Sequence, residues 1–288
     1  MGEGHPDRPL LGVVVPTLNE GQYLPALLSD LAELAVPHRL VVVDGGSTDA
    51  TRELARQAGA TVIVAHRGRA HQMNSGARVA SSHWVLFLHA DTRLTREARE
   101  CLTRRLLDEA KTDPAYFRFS SEDRGWFWRF IELGQNLRDR LAGLAYGDQG
   151  LLVRRQDFDA VGGFPLVPVM EDVALMKALR SRFQVDRLPA RLSSSTRRFV
   201  EEGRWRAWAR NVQLLVLFSL GVDPERLARL YRPRRWEPPE GRIALAFAKA
   251  PTPGRVKTRL ARGIGPEAAA DLYADIASGV VERLSSPS

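Results

Sequence analysis

Three short apolar runs in the first 91 residues each end in a carboxylate: LGVVVPTLNE (11–20), LVVVD (40–44) and WVLFLHAD (84–91). Continuous runs, rather than alternating ones, are what strands need when both faces of a sheet are covered. A segment with helical spacing follows each run, so the chain is expected to form an α/β fold, a mostly parallel sheet flanked by helices. Ligands of such sheets bind beyond the carboxyl ends of the strands. Glu20, Asp44 and Asp91 are therefore expected along one rim, where carboxylates can hold a metal, a ribose or a base.

The spacing extends this reading along the chain. Leu24, Leu27, Leu28, Leu31 and Leu34 mark a first helix, which Asn19 can cap. Gly45-Gly46 makes a tight turn, Ser47, Thr48 and Asp49 offer caps for a helix over 50–58, and Gly59 ends it. A strand at 61–65, a helix at 69–81, a strand at 84–89 and a helix at 95–111 complete the regular part. Beyond it we expect strands at 115–120, 151–154 and 184–188, and helices at 126–145, 172–180 and 201–220. RPRRWEPPEG (232–241) reads as a linker. A fresh strand at 243–248 and a helix opened by Pro266 then follow; two elements cannot bury a core alone, so 242–288 is expected to be the start of a larger domain or to dock on the main domain or a partner.

Charge and cysteine content narrow the function classes. The 288 residues carry a formal net charge of +8, mostly through Arg, which favours polyanionic partners. The basic residues are scattered and no recognition motif is present, which argues against nucleic acid. Cys101 is the only cysteine, so no internal disulfide forms. The N-terminus lacks a signal pattern, and the longest apolar run, 214–220, is far short of the roughly 20 residues a membrane span requires. The expectation is a cytoplasmic protein. The segment 204–220, basic and aromatic at its start, either packs on the sheet or makes a peripheral contact with a membrane.

Four motifs carry candidate chemistry. Thr17 and Asn19 follow a strand and precede a helix, a natural anion site as well as an ordinary turn with an Asn cap. Asp91 is a candidate oxygen ligand for Mg²⁺ or Mn²⁺; His89, two residues earlier, either points the same way or is buried in the strand. Glu171-Asp172 precedes an apolar helical run; the pair is either a functional carboxylate site or an acidic start that the helix dipole favours. Arg197-Arg198 forms either an anion contact or a solvated basic loop.

Taken in order, PTLNE, VVVDGGSTD, RGRAHQMNSGA and FLHAD resemble the nucleotide-sugar-binding half of family 2 glycosyltransferases. The resemblance implies a GT-A fold, a Rossmann-like sheet with a donor-binding half near 10–112 and an acceptor half near 113–231. It implies that Asp44 contacts the nucleotide base, that Pro16, Thr17, Asn19 and Glu20 line the nucleoside pocket, and that Arg69, Gln72 and Asn74 face the nucleotide or diphosphate. Asp91 matches the last carboxylate of the family's Asp-x-Asp motif and would hold Mn²⁺ or Mg²⁺; the first is His89 here, which leaves the metal preference open. Asp172 would be the general base, Glu171, Asp148 and Gln149 would meet the acceptor, and Arg197 and Arg198 would neutralise the departing diphosphate.

Two further resemblances are finer. GDQG, MEDVAL and LGVDPERLARLY are similar to a bacterial subgroup associated with radical-SAM and selenium-domain gene clusters, or with arsenosugar biosynthesis. FAKAPTPGRVKTRLARGIGPEAAADLY resembles the opening of a companion family with a nucleotidyltransferase-like fold, whose phosphate loop would comprise Lys249, Arg255, Lys257 and Arg259. The reaction implied is inverting, metal-assisted transfer of a sugar from a nucleotide-diphosphate donor to a hydroxyl acceptor. The rival readings are a nucleotidyltransferase acting on a sugar phosphate and a membrane-peripheral nucleotide-sugar-binding protein without catalysis.

Overall fold

The computed structural model describes residues 9–142 and 147–231. The expectations for 232–241 and 242–288 lie outside the described residues.

The first half alternates as expected: β1 (Leu11–Thr17), α1 (Leu24–Ala32), β2 (His38–Asp44), α2 (Thr51–Gln57), β3 (Thr61–Val64), α3 (Arg69–Ala80) and β4 (Trp84–Phe87). β1 pairs in parallel with β2 and β4, and β2 with β3. Then come β5 (Thr92–Arg93), α4 (Arg96–Leu107), β6 (Ala115–Ser121), α5 (Trp126–Ala142), β7 (Leu151–Arg154), α6 (Arg155–Ala160), α7 (Glu171–Arg180), β8 (Asp186–Ser194), α8 (Arg197–Glu202), α9 (Arg204–Ser219) and α10 (Pro224–Tyr231). The eight strands lie in the order β3-β2-β1-β4-β7-β6-β8-β5. β7 runs antiparallel to β4 and β6, so the sheet changes character just beyond the parallel quartet.

The unbroken Val runs are explained by two cores. Val13, Val15 and Val42 turn to one face, under Leu24, Leu27 and Leu31 of α1 and Leu102 and Leu106 of α4. Val14, Val41 and Val43 turn to the other, under Met73 and Ala77 of α3 and Leu175 and Leu179 of α7. With period-two alternation, every position of such a strand is internal. Pro16 is tolerated in this central strand because its missing N–H would point toward β4, on the same side as Val14; β4 has ended at Phe87, and Leu88 N makes the last bond, to Val14 O (3.1 Å).

Several local expectations are corrected. Asn19 does not cap α1; its backbone is left-handed (φ 54°), and α1 starts from Tyr23 with no side-chain cap. The strand expected at 184–188 runs instead over Asp186–Ser194, with Leu188, Ala190, Leu192 and Ser194 buried in alternation, and its pairing with β6 shifts register opposite the stretch containing Pro189. The single helix expected at 201–220 is two, because Gly203 (φ 85°) breaks the chain direction between α8 and α9. β5, α6 and α10 had no counterpart in the sequence reading.

α3 lies unusually close to the sheet because of Gly76. A Cβ there would meet the Val14 side chain and come 2.8 Å from Val43 Cγ2. Alanine normally gains about 1 kcal/mol over glycine inside a helix. Here overpacking, about 1–3 kcal/mol, should outweigh that gain. Gly76→Ala is expected to lower the urea midpoint without changing the m-value; an unchanged or higher midpoint would show that α3 can move away freely.

Candidate active site

Beyond the ends of β1 and β2 two loops are stitched together. Asn19 N donates to Ser47 Oγ (2.8 Å), Thr48 N to Asn19 Oδ1 (2.9 Å), Glu20 N to Thr51 Oγ1 (2.8 Å) and Gly21 N to Asp49 Oδ2 (2.9 Å). The Thr51 hydroxyl, helped by the Gly21 and Thr51 amides, holds Asp49 below its ordinary carboxylate range.

Several residues expected to face a ligand are bonded into this scaffold. Asp44 is fully buried; its Oδ1 accepts from Gly46 N (3.0 Å) and Ser47 N (2.9 Å), and its Oδ2 from the Ser47 and Thr17 hydroxyls. Thr17 is itself buried. Gln72 donates from Nε2 to both Thr17 O (2.9 Å) and Val43 O (2.8 Å), bridging β1 and β2 where they end; Thr17 O also accepts from Gly45 N (2.9 Å). Asn74 spends its amide on one backbone partner, donating to Phe164 O (2.8 Å) and accepting from Phe164 N (2.9 Å). Gln149 is buried and donates to Phe117 O (3.3 Å). Pro16 stays half-buried in β1, and Asn19 is exposed at the loop junction.

Other expected residues do converge. Glu20 Oε1 accepts from Arg197 Nη2 (2.6 Å), and the same nitrogen lies 3.4 Å from Asp91 Oδ2. Arg197 also sits over the Tyr23 ring, 4.2 Å from its centroid. Across the rim, Arg69 Nη1 lies 3.7 Å from Glu171 Oε1. Asp172 Oδ2 accepts from Gly147 N (2.7 Å), and Asp172 Oδ1 from Val173 N (2.7 Å). Gly147 is wedged between two functional groups: a Cβ there would come 2.9 Å from His89 Nε2 and 3.3 Å from Asp172 Oδ2. Asp148 borders this point and its carbonyl accepts from Ser194 Oγ (3.0 Å). The Arg198 side chain lies outside the described set. Tyr23 and Gly147 were not anticipated; the G-x-x-G spacing around 147–150 was the one available signal, and Tyr23 had none.

The electrostatics are those of an acidic rim threaded by two guanidiniums. Burial raises the Glu171 carboxyl above its ordinary range, Asp172 raises it further, and Arg69 opposes both. Burial works against the charge of Arg69, but Glu171, with smaller contributions from Tyr231, Asp172 and Asp91, more than restores it. Arg197 behaves in the same way, opposed by burial and held by Glu20 and Asp91. Among the described residues no group of three His, Cys, Asp or Glu is arranged to hold a metal ion. The donor set nevertheless suits a hard divalent cation that takes one or two protein carboxylates and completes its shell with phosphate and water. Glu20, Asp91, Glu171 and Asp172 outnumber Arg69 and Arg197 here, and Glu20 Oε2 is buried without a hydrogen-bond partner. An anionic ligand would need a cation to join it.

A family model described as Glycosyl transferase family 2 matches residues 12–163, more than half of the chain. PGL/p-HBAD biosynthesis glycosyltransferases of Mycobacterium bovis and Mycobacterium tuberculosis are 39% identical over 95 residues, covering 30% of this chain and 37% of theirs. The 4,4'-diaponeurosporenoate glycosyltransferase of Staphylococcus aureus is 32% identical over 100 residues, covering 32% of this chain and 27% of its own. The matches therefore span about a third of these relatives or less. A mannosyltransferase from Pyrobaculum calidifontis, solved with GDP-Man and Mn²⁺, superposes with a TM-score of 0.55 at 21% identity over 78% of this chain and 69% of that one. Glucosyl-3-phosphoglycerate synthase from Mycobacterium tuberculosis, solved with Mn²⁺, UDP and glucosyl-3-phosphoglycerate, gives 0.53 at 20% identity over 74% and 81%. At such identities the likeness establishes the α/β GT-A fold.

The buried Glu171 yields a prediction with a definite sign. Its folded pKa lies above the ordinary value of 4.5, so the folded state binds the extra proton. The stability this confers is present below 4.5 and is lost as pH rises through the folded value. Glu171→Gln removes that loss. Its melting temperature relative to wild type should therefore climb between pH 4 and neutrality; a difference that stays flat or falls with pH would contradict the assignment.

Proposed function

The chain belongs to glycosyl transferase family 2, and from that premise we propose that it moves a sugar from a nucleotide-diphosphate donor to a hydroxyl acceptor with inversion at the anomeric carbon. The observation that carries the proposal is the meeting of an oriented carboxylate, Asp172, with His89 at one glycine, beside a rim held by Arg69 and Arg197. A base needs a fixed direction, and the Gly147 and Val173 amides supply one.

In the proposed step the acceptor oxygen forms its bond to the anomeric carbon as the bond from that carbon to the diphosphate breaks. The acceptor proton passes to Asp172, and the electron pair leaves on the diphosphate. Arg197 and Arg69 face the charge that develops there. Asp91, with His89 and the orphaned Glu20 oxygen nearby, would hold Mn²⁺ or Mg²⁺, which when bound neutralises diphosphate charge. Glu171 would tune Asp172 and Arg69 instead of taking the proton itself, because it is buried against both. Asp44, Thr17, Gln72 and Asn74 act indirectly, by fixing the loops that hold Glu20 and the start of α3. The GDQG, MEDVAL and LGVDPERLARLY segments support placing the chain in the bacterial subgroup linked to arsenosugar biosynthesis. Among the described residues no helix is long and apolar enough to cross a membrane.

Two experiments test the roles, starting from a thermal-shift screen of UDP-, GDP- and dTDP-sugars with Mn²⁺ or Mg²⁺ to find the donor. Asp172→Asn should lower turnover by about 10²-fold or more while leaving donor affinity unchanged; near-wild-type turnover would remove Asp172 as the base. Asp91→Ala should weaken the metal-dependent part of nucleotide binding, and an identical calorimetric titration with Mn²⁺ present would refute its role. Release of nucleoside diphosphate, as opposed to pyrophosphate, separates sugar transfer from nucleotidyl transfer.

A further inference from the structure

Among the described residues, α5 carries an apolar stripe that stays exposed. Trp126, Phe130, Leu133 and Leu137 follow one another at spacings of four, three and four, and are 72%, 43%, 69% and 51% exposed. Phe127, Trp128 and Ile131 occupy the inner side and are buried with Phe119. At its start the stripe meets a second one on α9. The Trp205 ring lies 5.9 Å from Trp126 and 6.2 Å from Phe130, and Val212 and Val216 continue the line in the open. Monomers in water seldom leave contiguous aromatic surface of this kind uncovered.

A basic groove of about 320 Å³ runs beside the same stripe. Arg118 of β6, Arg187 and Arg191 of β8 and, from α5, Arg129, Leu133 and Leu137 line it, and Glu132 is the lone carboxylate of its lining. Glu132 Oε1 accepts from Ser121 N (2.7 Å) and Ser120 Oγ (3.2 Å), and its Oε2 lies 3.9 Å from Arg191 Nη1, so one carboxylate offsets only part of the charge of four arginines. Arg187 bonds Asn136 through Nη2, but its Nε is buried without a hydrogen-bond partner. A cluster of guanidiniums with an unspent donor suits a phosphate oxygen.

We propose that the α5–α9 face docks on an anionic bilayer, its tryptophan-rich stripes entering the headgroup–acyl boundary while a lipid phosphate occupies the arginine groove. Indole rings favour that boundary, and arginines beside them add attraction to anionic lipid. A free anion would satisfy the groove but leave the stripe unexplained. A second copy of the chain meeting this face by two-fold symmetry would bring a second set of four arginines into the same interface. Within the segment 204–220, Leu214 is buried against Val169 and Leu227, while Trp205, Val212 and Val216 belong to this docking face together with α5. None of the groove residues takes part in the proposed transfer chemistry.

Flotation of the full chain with phosphatidylcholine vesicles, with and without phosphatidylglycerol, tests this. Binding should require the anionic lipid and weaken as salt rises. Trp126→Ser/Leu133→Ser should abolish it, and Arg191→Gln should weaken it about five-fold, near 1 kcal/mol per surface arginine, with thermal unfolding of each variant confirming that the fold persists. Failure to float with anionic vesicles, equal binding to neutral ones, or full binding by the double variant would overturn the proposal. So would a dimer by light scattering that the double variant dissolves while vesicles are ignored.

Discussion

The loops beyond β1 and β2 depend on satisfying one buried carboxyl group. Asp44 ends β2 inside the protein, with no surface in contact with solvent. A carboxylate in such a place is tolerated only if several donors reach it. Those donors come from the chain just beyond it, Gly46 N, Ser47 N and the Ser47 hydroxyl, so the loop is forced to curl back on its own strand. Once curled, it presents Ser47 Oγ to Asn19 N, Thr48 N to Asn19 Oδ1 and the Thr51 hydroxyl to Glu20 N. The position of Glu20 is thus set by a residue on a different strand. Glu20 in turn holds Arg197, which reaches Asp91. The rim is assembled outward from the interior.

α3 performs the corresponding task for the opposite part of the rim. Gly76 lets the helix lie against Val14 and Val43, and only at that depth can Gln72 reach the last carbonyls of β1 and β2. Asn74, also on α3, clamps the backbone of Phe164, ahead of α7. Arg69, at the helix start, then meets Glu171 at the start of α7. A single helix, held close by a missing side chain, fixes the spacing between the two halves.

These dependencies explain what could be read from the sequence. The apolar runs announced the strands because two-sided burial leaves no other pattern, and the carboxylates at their ends announced the rim. Direction was not legible. Asp44 and Asp91 both follow apolar runs, yet the first is sealed and the second faces Arg197. Gln72 and Asn74 both bond backbone, Gln72 at the ends of β1 and β2 and Asn74 at Phe164, and these partners, 29 to 90 residues away in sequence, leave no local pattern. β8 was underestimated because Pro189 interrupts the expected run, although its neighbours alternate cleanly. Tyr23 reaches the site only through Arg197, more than 170 residues away, and local patterning carries no such information.

Net charge misleads for the same reason. A total of +8 suggests a crevice that attracts polyanions directly. The crevice instead holds more carboxylates than guanidiniums, while four arginines line a groove under α5. A Coulomb interaction between surface charges fades within about 10 Å at ordinary salt, so the sum over the chain governs neither place. Each has to be read from its own residues. The rim sets four carboxylates, Glu20, Asp91, Glu171 and Asp172, around two guanidiniums, and the groove sets four guanidiniums around one carboxylate.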